Sequence, residues 1–169
     1  QFGHSVSSAG DVNGDGYSDV LVGALFYDAD QPDEGRVFVY LGSAAGLSPN
    51  ASWTADGDQV GSDFGASAAT AGDVNGDGYS DVLVGARTYS NGESTEGAAF
   101  LFLGSSSGLS TTADWTAESD QGGAQFGTSD LTITRQFGTK RFLKGCHITR
   151  QPIHSQQQWL RLVHVQYSS

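Results

Sequence analysis

The sequence predicts an all-β fold built from repeated four-stranded antiparallel units, on three observations. The chain repeats itself: Phe-Gly occurs at Phe2-Gly3, Phe64-Gly65 and Phe126-Gly127, every 62 residues, and overlaying 2–63 on 64–125 gives 36 identities in 62 positions. Each unit carries four short runs fit for strands, bounded by clusters of Gly, Ser, Asp and Asn that make turns. The composition agrees, with 24 Gly, 3 Pro and no Met in 169 residues. Glycine at that level without a three-residue period signals tight turns rather than a collagen helix. Whole four-strand units returning at a fixed interval are the pattern of propeller blades. A simple β-sandwich accounts for the strands but not for the repetition of entire units.

The elements follow in order. His4 to Gly10 is a small-residue segment that leads into an acidic loop. Val20 to Ala24 is an apolar strand ending in Gly-Ala. A polar connection from Asp28 to Gly35 follows, and its counterpart, Ser90 to Gly97, differs most between the copies, as an exposed loop can. Arg36 to Leu41 is the third strand, matched by Ala98 to Leu103. These runs are apolar on both faces, which predicts burial on both faces. A Gly-Ser turn from Gly42 to Gly46 then leads to a fourth strand carrying Trp53, matched by Trp115. The expected organisation is a first blade over 1–63, a second over 64–125, the start of a third at 126–129, and a divergent basic tail over 130–169.

Charge marks the same break. Residues 1–129 hold 18 of the 19 acids and two bases, Arg36 and Arg87, for a net −16. Residues 130–169 hold one acid and six bases, for a net +5, together with the sole Cys and two of the 24 Gly. An acidic body repels phosphate and argues against nucleic acid as a partner; it attracts cations or basic partners. A third acidic loop at the 62-residue period would start at 135, where Arg135, Phe137, Thr139 and Leu143 stand instead of Asp, Asn, Asp and Asp. The tail therefore reads as weakly ordered, or as the product of a shifted reading frame in a longer repeat gene. Trp159 to Tyr167 is the stretch of it fit to pair as a strand. One Cys forms no intrachain disulfide. No apolar run approaches the ~20 residues that span a bilayer. A start at Gln1 with no signal peptide suggests a mature piece or a fragment.

The chemistry lies in Ala9 to Ala24, A-G-D-V-N-G-D-G-Y-S-D-V-L-V-G-A, which returns unchanged as Ala71 to Ala86. Asp11, Asn13 and Asp15 alternate, so a turning loop can point all three inward. Gly16 permits the left-handed backbone that turns after the third. The Tyr17 carbonyl is the expected backbone donor, and Asp19 closes the loop with two oxygens. The second set is Asp73, Asn75, Asp77, the Tyr79 carbonyl and Asp81. Oxygen donors in this number suit Ca²⁺, whereas Mg²⁺ demands tighter octahedral geometry and keeps its water. Three carboxylates in one small loop repel each other until a cation joins them. An EF-hand needs a Glu at its twelfth position, and here that position is Val22 or Val84, inside an apolar strand. A plain Asn-Gly or Asp-Gly hairpin turn needs no acid at the first, fifth and ninth places. Two calcium sites are therefore expected.

D-V-N-G-D-G-Y-S-D, preceded by F-G and followed by V-L-V-G-A, resembles the FG-GAP repeat of integrin α-subunit β-propellers. The resemblance covers residues 1–129. It implies blades whose first hairpin loop carries calcium, and an extracellular or cell-surface setting. The family's signature usually ends in Pro, where this chain has Leu25 and Arg87. Propellers close with about four to eight blades, so two blades and the start of a third form an incomplete propeller. Such a piece leaves sheet faces uncovered, and its expected partners are further blades or copies of itself.

Phe2, Phe64 and Phe126 read as packing residues between blades. Trp53 and Trp115 suit a core or interface better than a sugar platform. Asn50-Ala51-Ser52 is a glycosylation sequon, meaningful only in a eukaryotic secretory pathway. Cys146-His147 and His154 lack the spacing of a metal or nucleophile site, and Ala66 replaces His4 in the second copy. With no nucleophile–base pair or phosphate loop, the expected function is binding or adhesion through a protein or glycan ligand, not catalysis. Two alternatives stand beside it: a lectin-like accessory propeller attached to an enzyme domain, and a truncated repeat product without function.

Overall fold

Two four-stranded antiparallel sheets of the same design make up the first part of the chain. The computed structural model describes residues 1–128 in full, and beyond them the backbone of 146–147 and 164–165. The first sheet runs in sequence order: β1 (Phe2–Gly10), β2 (Asp19–Ala24), β3 (Arg36–Tyr40) and β4 (Trp53–Asp56). The second repeats it: β5 (Phe64–Gly72), β6 (Asp81–Ala86), β7 (Ala98–Phe102) and β8 (Trp115–Glu118). The registers coincide at the 62-residue offset: Val22 faces Val6 and Phe38, and Val84 faces Ala68 and Phe100. Among the described residues there is no helix long and apolar enough to cross a membrane.

The first strand starts earlier than its small residues suggest, at the Phe of each Phe-Gly pair. The register of β1 on β2 slips between Phe2 and Ser5 and again between Ser8 and Gly10, as it does at the matching places of β5. Gly3 and Gly10 have φ of 82° and 77°, and Gly65 and Gly72 have 83° and 71°. Glycine supplies the left-handed residue that such a bulge needs, and the bulge bends the strand.

Unlike the sheets' own ladders, the contact between them is made by side chains and docking backbone. β5 lies across β1, β2 and β3. Ser5 and Ser7 donate their hydroxyls to the carbonyls of Gly65 and Ala68, at 2.9 and 2.7 Å. Phe64 donates its N–H to the Glu34 carbonyl at 3.1 Å. The core cluster spans both sheets, joining Leu21, Val37 and Val39 to Phe64, Val82, Val84 and Phe102. Trp53 belongs to the same junction: its indole N–H donates to the Ser110 carbonyl at 2.9 Å and its ring meets Phe102 edge-on at 5.0 Å.

Phe126 and Gly127 begin the same docking on the second sheet. Phe126 donates its N–H to the Glu96 carbonyl at 2.9 Å, and Ser67 donates to the Gly127 carbonyl at 2.9 Å. Chain contacts group Gln1–Thr132 as one compact unit and Ile133–Ser169 as another. Within the latter, β9 (Cys146–His147) pairs antiparallel with β10 (His164–Val165), inside the stretch expected to form a strand. The remaining expectations for 130–169, including weak order, fall outside the described residues.

Burial on both faces holds for the second sheet, where Ala98, Ala99, Leu101 and Phe102 of β7 are all buried. In β3 it holds on one face only. Val37 and Val39 are buried against the second sheet, while Arg36, Phe38 and Tyr40 are half-buried. Their face looks away from β5, so nothing in the described chain plays for the first sheet the part that the first sheet plays for the second.

Candidate metal centre

The acidic loops connect β1 to β2 and β5 to β6, and their hydrogen bonds are nearly superimposable. Asp11 turns both oxygens onto the loop backbone: Oδ1 accepts from Gly14 at 2.7 Å and Asp15 at 3.1 Å, and Oδ2 from Gly16 at 2.8 Å. Asp73 does the same with Gly76 at 2.6 Å, Asp77 at 3.1 Å and Gly78 at 3.0 Å. Asn13 Nδ2 donates to Asp15 Oδ2 at 3.0 Å, and Asn75 Nδ2 to Asp77 Oδ2 at 2.8 Å. Tyr17 and Tyr79 enter as N–H donors, to Asp15 Oδ1 at 2.9 Å and Asp77 Oδ1 at 3.0 Å. A tight turn in which three successive main-chain N–H groups fold onto one Asp follows from alternating Asx residues and glycine.

Asp19 and Asp81 stand apart from the exposed loop tips. Both are fully buried as the first residues of β2 and β6. Asp19 accepts from the N–H of Val12 at 2.9 Å and of Gly42 at 2.9 Å, one on each oxygen. Asp81 accepts from Val74 at 2.7 Å and Gly104 at 2.9 Å. Each therefore ties its acidic loop to the turn after the third strand, a structural role that spacing did not reveal. Burial pushes the Asp81 carboxyl above the usual range; the two backbone N–H groups oppose this, and the charges of Asp77 and Asp73 add to it.

The two loops also touch. Ser80 donates its N–H to the Asp11 carbonyl at 2.8 Å and accepts from the Asp11 N–H at 3.1 Å. Val12, which lies under this contact, is 1% exposed.

The donor set fits a hard cation. No Lys or Arg lies within either loop, and a carboxylate offers about four lone-pair sites, of which the N–H groups occupy only part in each Asp. The same N–H groups hold Asp11 and Asp73 in one orientation. The loop carboxylates are nevertheless turned to backbone donors rather than to a common point. Among the described residues, the acidic side chains that place oxygens within 4.8 Å of one another in a group of three are Glu96, Glu118 and Asp120. None of these was singled out in the sequence. Glu34 and Glu96 stand in a Glu-Gly pair common to both units, Glu34-Gly35 and Glu96-Gly97, and both are fully buried. Glu34 Oε1 gathers the N–H groups of Ala29, Asp30 and Gln31 at 2.9, 2.7 and 3.1 Å. Glu96 Oε1 takes those of Asn91 at 2.6 Å and Glu93 at 3.4 Å.

Comparison with known proteins agrees with this architecture. The FG-GAP repeat family model matches residues 2–40 and 64–102. Integrin alpha-4 of Xenopus laevis is 37% identical over 109 residues, covering 64% of this chain and 10% of that protein. Integrin alpha-PS2 of Drosophila melanogaster is 40% identical over 116 residues, covering 63% of this chain and 8% of that protein. Integrin alpha-7 of Rattus norvegicus is 44% identical over 85 residues, covering 50% and 7%. The chain thus spans no more than 10% of the length of these relatives. The two sheets, each opened by Phe-Gly and each carrying an acidic hairpin loop, are FG-GAP repeats similar to those of integrin alpha subunits, and they form two blades of an incomplete β-propeller.

Proposed function

We propose that residues 1–128 are a calcium-bearing propeller segment that serves binding or adhesion outside the cell, as an integrin-like module and not as an enzyme. The observation that carries this reading is the pair of acidic hairpin loops. Their sixteen-residue sequences are identical and their hydrogen-bond networks match, while Ala66 and Ala98 replace His4 and Arg36 elsewhere in the unit. Asp11, Asn13, Asp15, Asp19 and the Tyr17 carbonyl would hold one Ca²⁺, and Asp73, Asn75, Asp77, Asp81 and the Tyr79 carbonyl another. The ion supplies charge that offsets carboxylate repulsion and braces the hairpin. The residues themselves orient the oxygens through the N–H groups they collect.

Extracellular modules bind calcium at about 10⁻⁴–10⁻³ M, so ~1 mM calcium stabilises the fold by roughly 0.4–1.4 kcal/mol per site. Hydrogen exchange at Gly14, Asp15, Gly16, Gly76, Asp77 and Gly78 tests the proposal. Added calcium should slow these amides and a chelator should restore them. Identical exchange in both conditions would sink it.

The same reading assigns the uncovered first sheet to a neighbouring blade or a second copy. Phe2 and Val6 are each 64% exposed on that sheet, where a blade offering the face that Gly35 and Gly57 offer Phe64 would fit. Light scattering should therefore find association; a sharp monomer that melts cooperatively would count against it.

A further inference from the structure

We propose that Glu96, Glu118 and Asp120 form a cation site of a second kind, in the place where the first blade uses its own arginine. The case begins with a comparison inside the chain. At the 62-residue offset, Glu34, Asp56 and Asp58 correspond to Glu96, Glu118 and Asp120. In the first blade Arg36 sits beside two of them, Asp56 and Glu34. Its guanidinium makes a two-pronged bond to Asp56, from Nε to Oδ1 and from Nη2 to Oδ2 at 2.7 Å. It stacks over the Tyr27 ring at 4.4 Å, and Glu34 is near enough to stabilise its charge. The group therefore carries an internal counter-charge.

In the second blade Ala98 replaces Arg36, while all three acids persist. Their oxygens lie within 4.8 Å of one another. Glu96 is fully buried, and its Oε2 has no hydrogen-bond partner. Its other oxygen is already occupied by the N–H groups of Asn91 and Glu93. Among the described residues, the side chain that donates to these carboxylates is Asn91, whose amide reaches both oxygens of Glu118 at 3.1 Å. A neutral amide cannot balance three carboxylates, one of them buried with a bare oxygen. Glu34 Oε2 also lacks a hydrogen bond, but it has the guanidinium for a neighbour.

The chemistry that completes the second set is a hard divalent ion. Three carboxylates supply oxygen ligands of the right charge, and Asp120, which is exposed, leaves open positions for water. The site is separate from the acidic hairpin loops, so it stands whether or not those loops bind calcium.

The experiment is a manganese(II) titration of the full chain, read by the loss of the free-ion EPR signal. Asp120→Asn changes an exposed side chain and should weaken one manganese site on the order of tenfold, since affinity follows the ligand charge count. Ala98→Arg should abolish the same site by restoring the first blade's internal cation, while the Asp15→Ala plus Asp77→Ala protein should retain it. Equal stoichiometry and affinity in the wild type, Asp120→Asn and Ala98→Arg would overturn the proposal.

Discussion

The two blades differ most where their sequences agree. Phe2 and Phe64 begin identical Phe-Gly pairs, and each meets the Phe of its own third strand edge-on, at 5.4 and 5.5 Å. Yet Phe2 is 64% exposed and Phe64 is 1% exposed. The difference is supplied by the neighbour. Phe64 inserts against Gly35 and Gly57 of the first blade, where a Cβ at either glycine would run into it. Val12 and Val74 repeat the lesson: the second blade covers Val12, and Val74 is only half-buried. Burial in a repeat fold belongs to the junction between units more than to the unit.

Breaking that comparison gives a graded series. The largest loss is expected for Phe64→Ala, at roughly 3–5 kcal/mol, because it empties a filled junction. Glu34→Ala should cost about 1–3 kcal/mol, because three backbone N–H groups of the connection lose their acceptor. Phe2→Ala should fall within about 0.5 kcal/mol of the wild type, as for an exposed position. Urea unfolding of the three variants checks the order. Equal losses for Phe64→Ala and Phe2→Ala would mean that the junction adds nothing beyond the single blade.

Much of this architecture was legible in the sequence. The repeat offset, the four strands per unit and the acidic hairpin all follow from patterns of glycine, apolar runs and alternating Asp and Asn. Three features were not. The single-sided exposure of β3 depends on what lies beside the sheet, and R-V-F-V-Y reads as apolar on both faces whatever its neighbours. The buried Glu34 and Glu96 look like loop acids, because a carboxylate that collects N–H groups across its own turn leaves no periodic trace. The ties from Asp19 to Gly42 and from Asp81 to Gly104 span 23 residues, and only the folded strands bring them together. Of the residues expected as metal ligands, Asp11, Asn13, Asp15, Tyr17 and their counterparts fall in the loops, while Asp19 and Asp81 open the strands that follow. Their orientation toward the backbone is a matter of hydrogen bonding that spacing does not encode.

Calcium binding by the duplicated loops is the central claim, and calorimetric titration of the full chain with calcium tests it most directly. The wild type should show two loop sites that both vanish in the Asp15→Ala plus Asp77→Ala protein, with half the loss in either single variant. Unchanged heat and stoichiometry in the double variant would contradict the account.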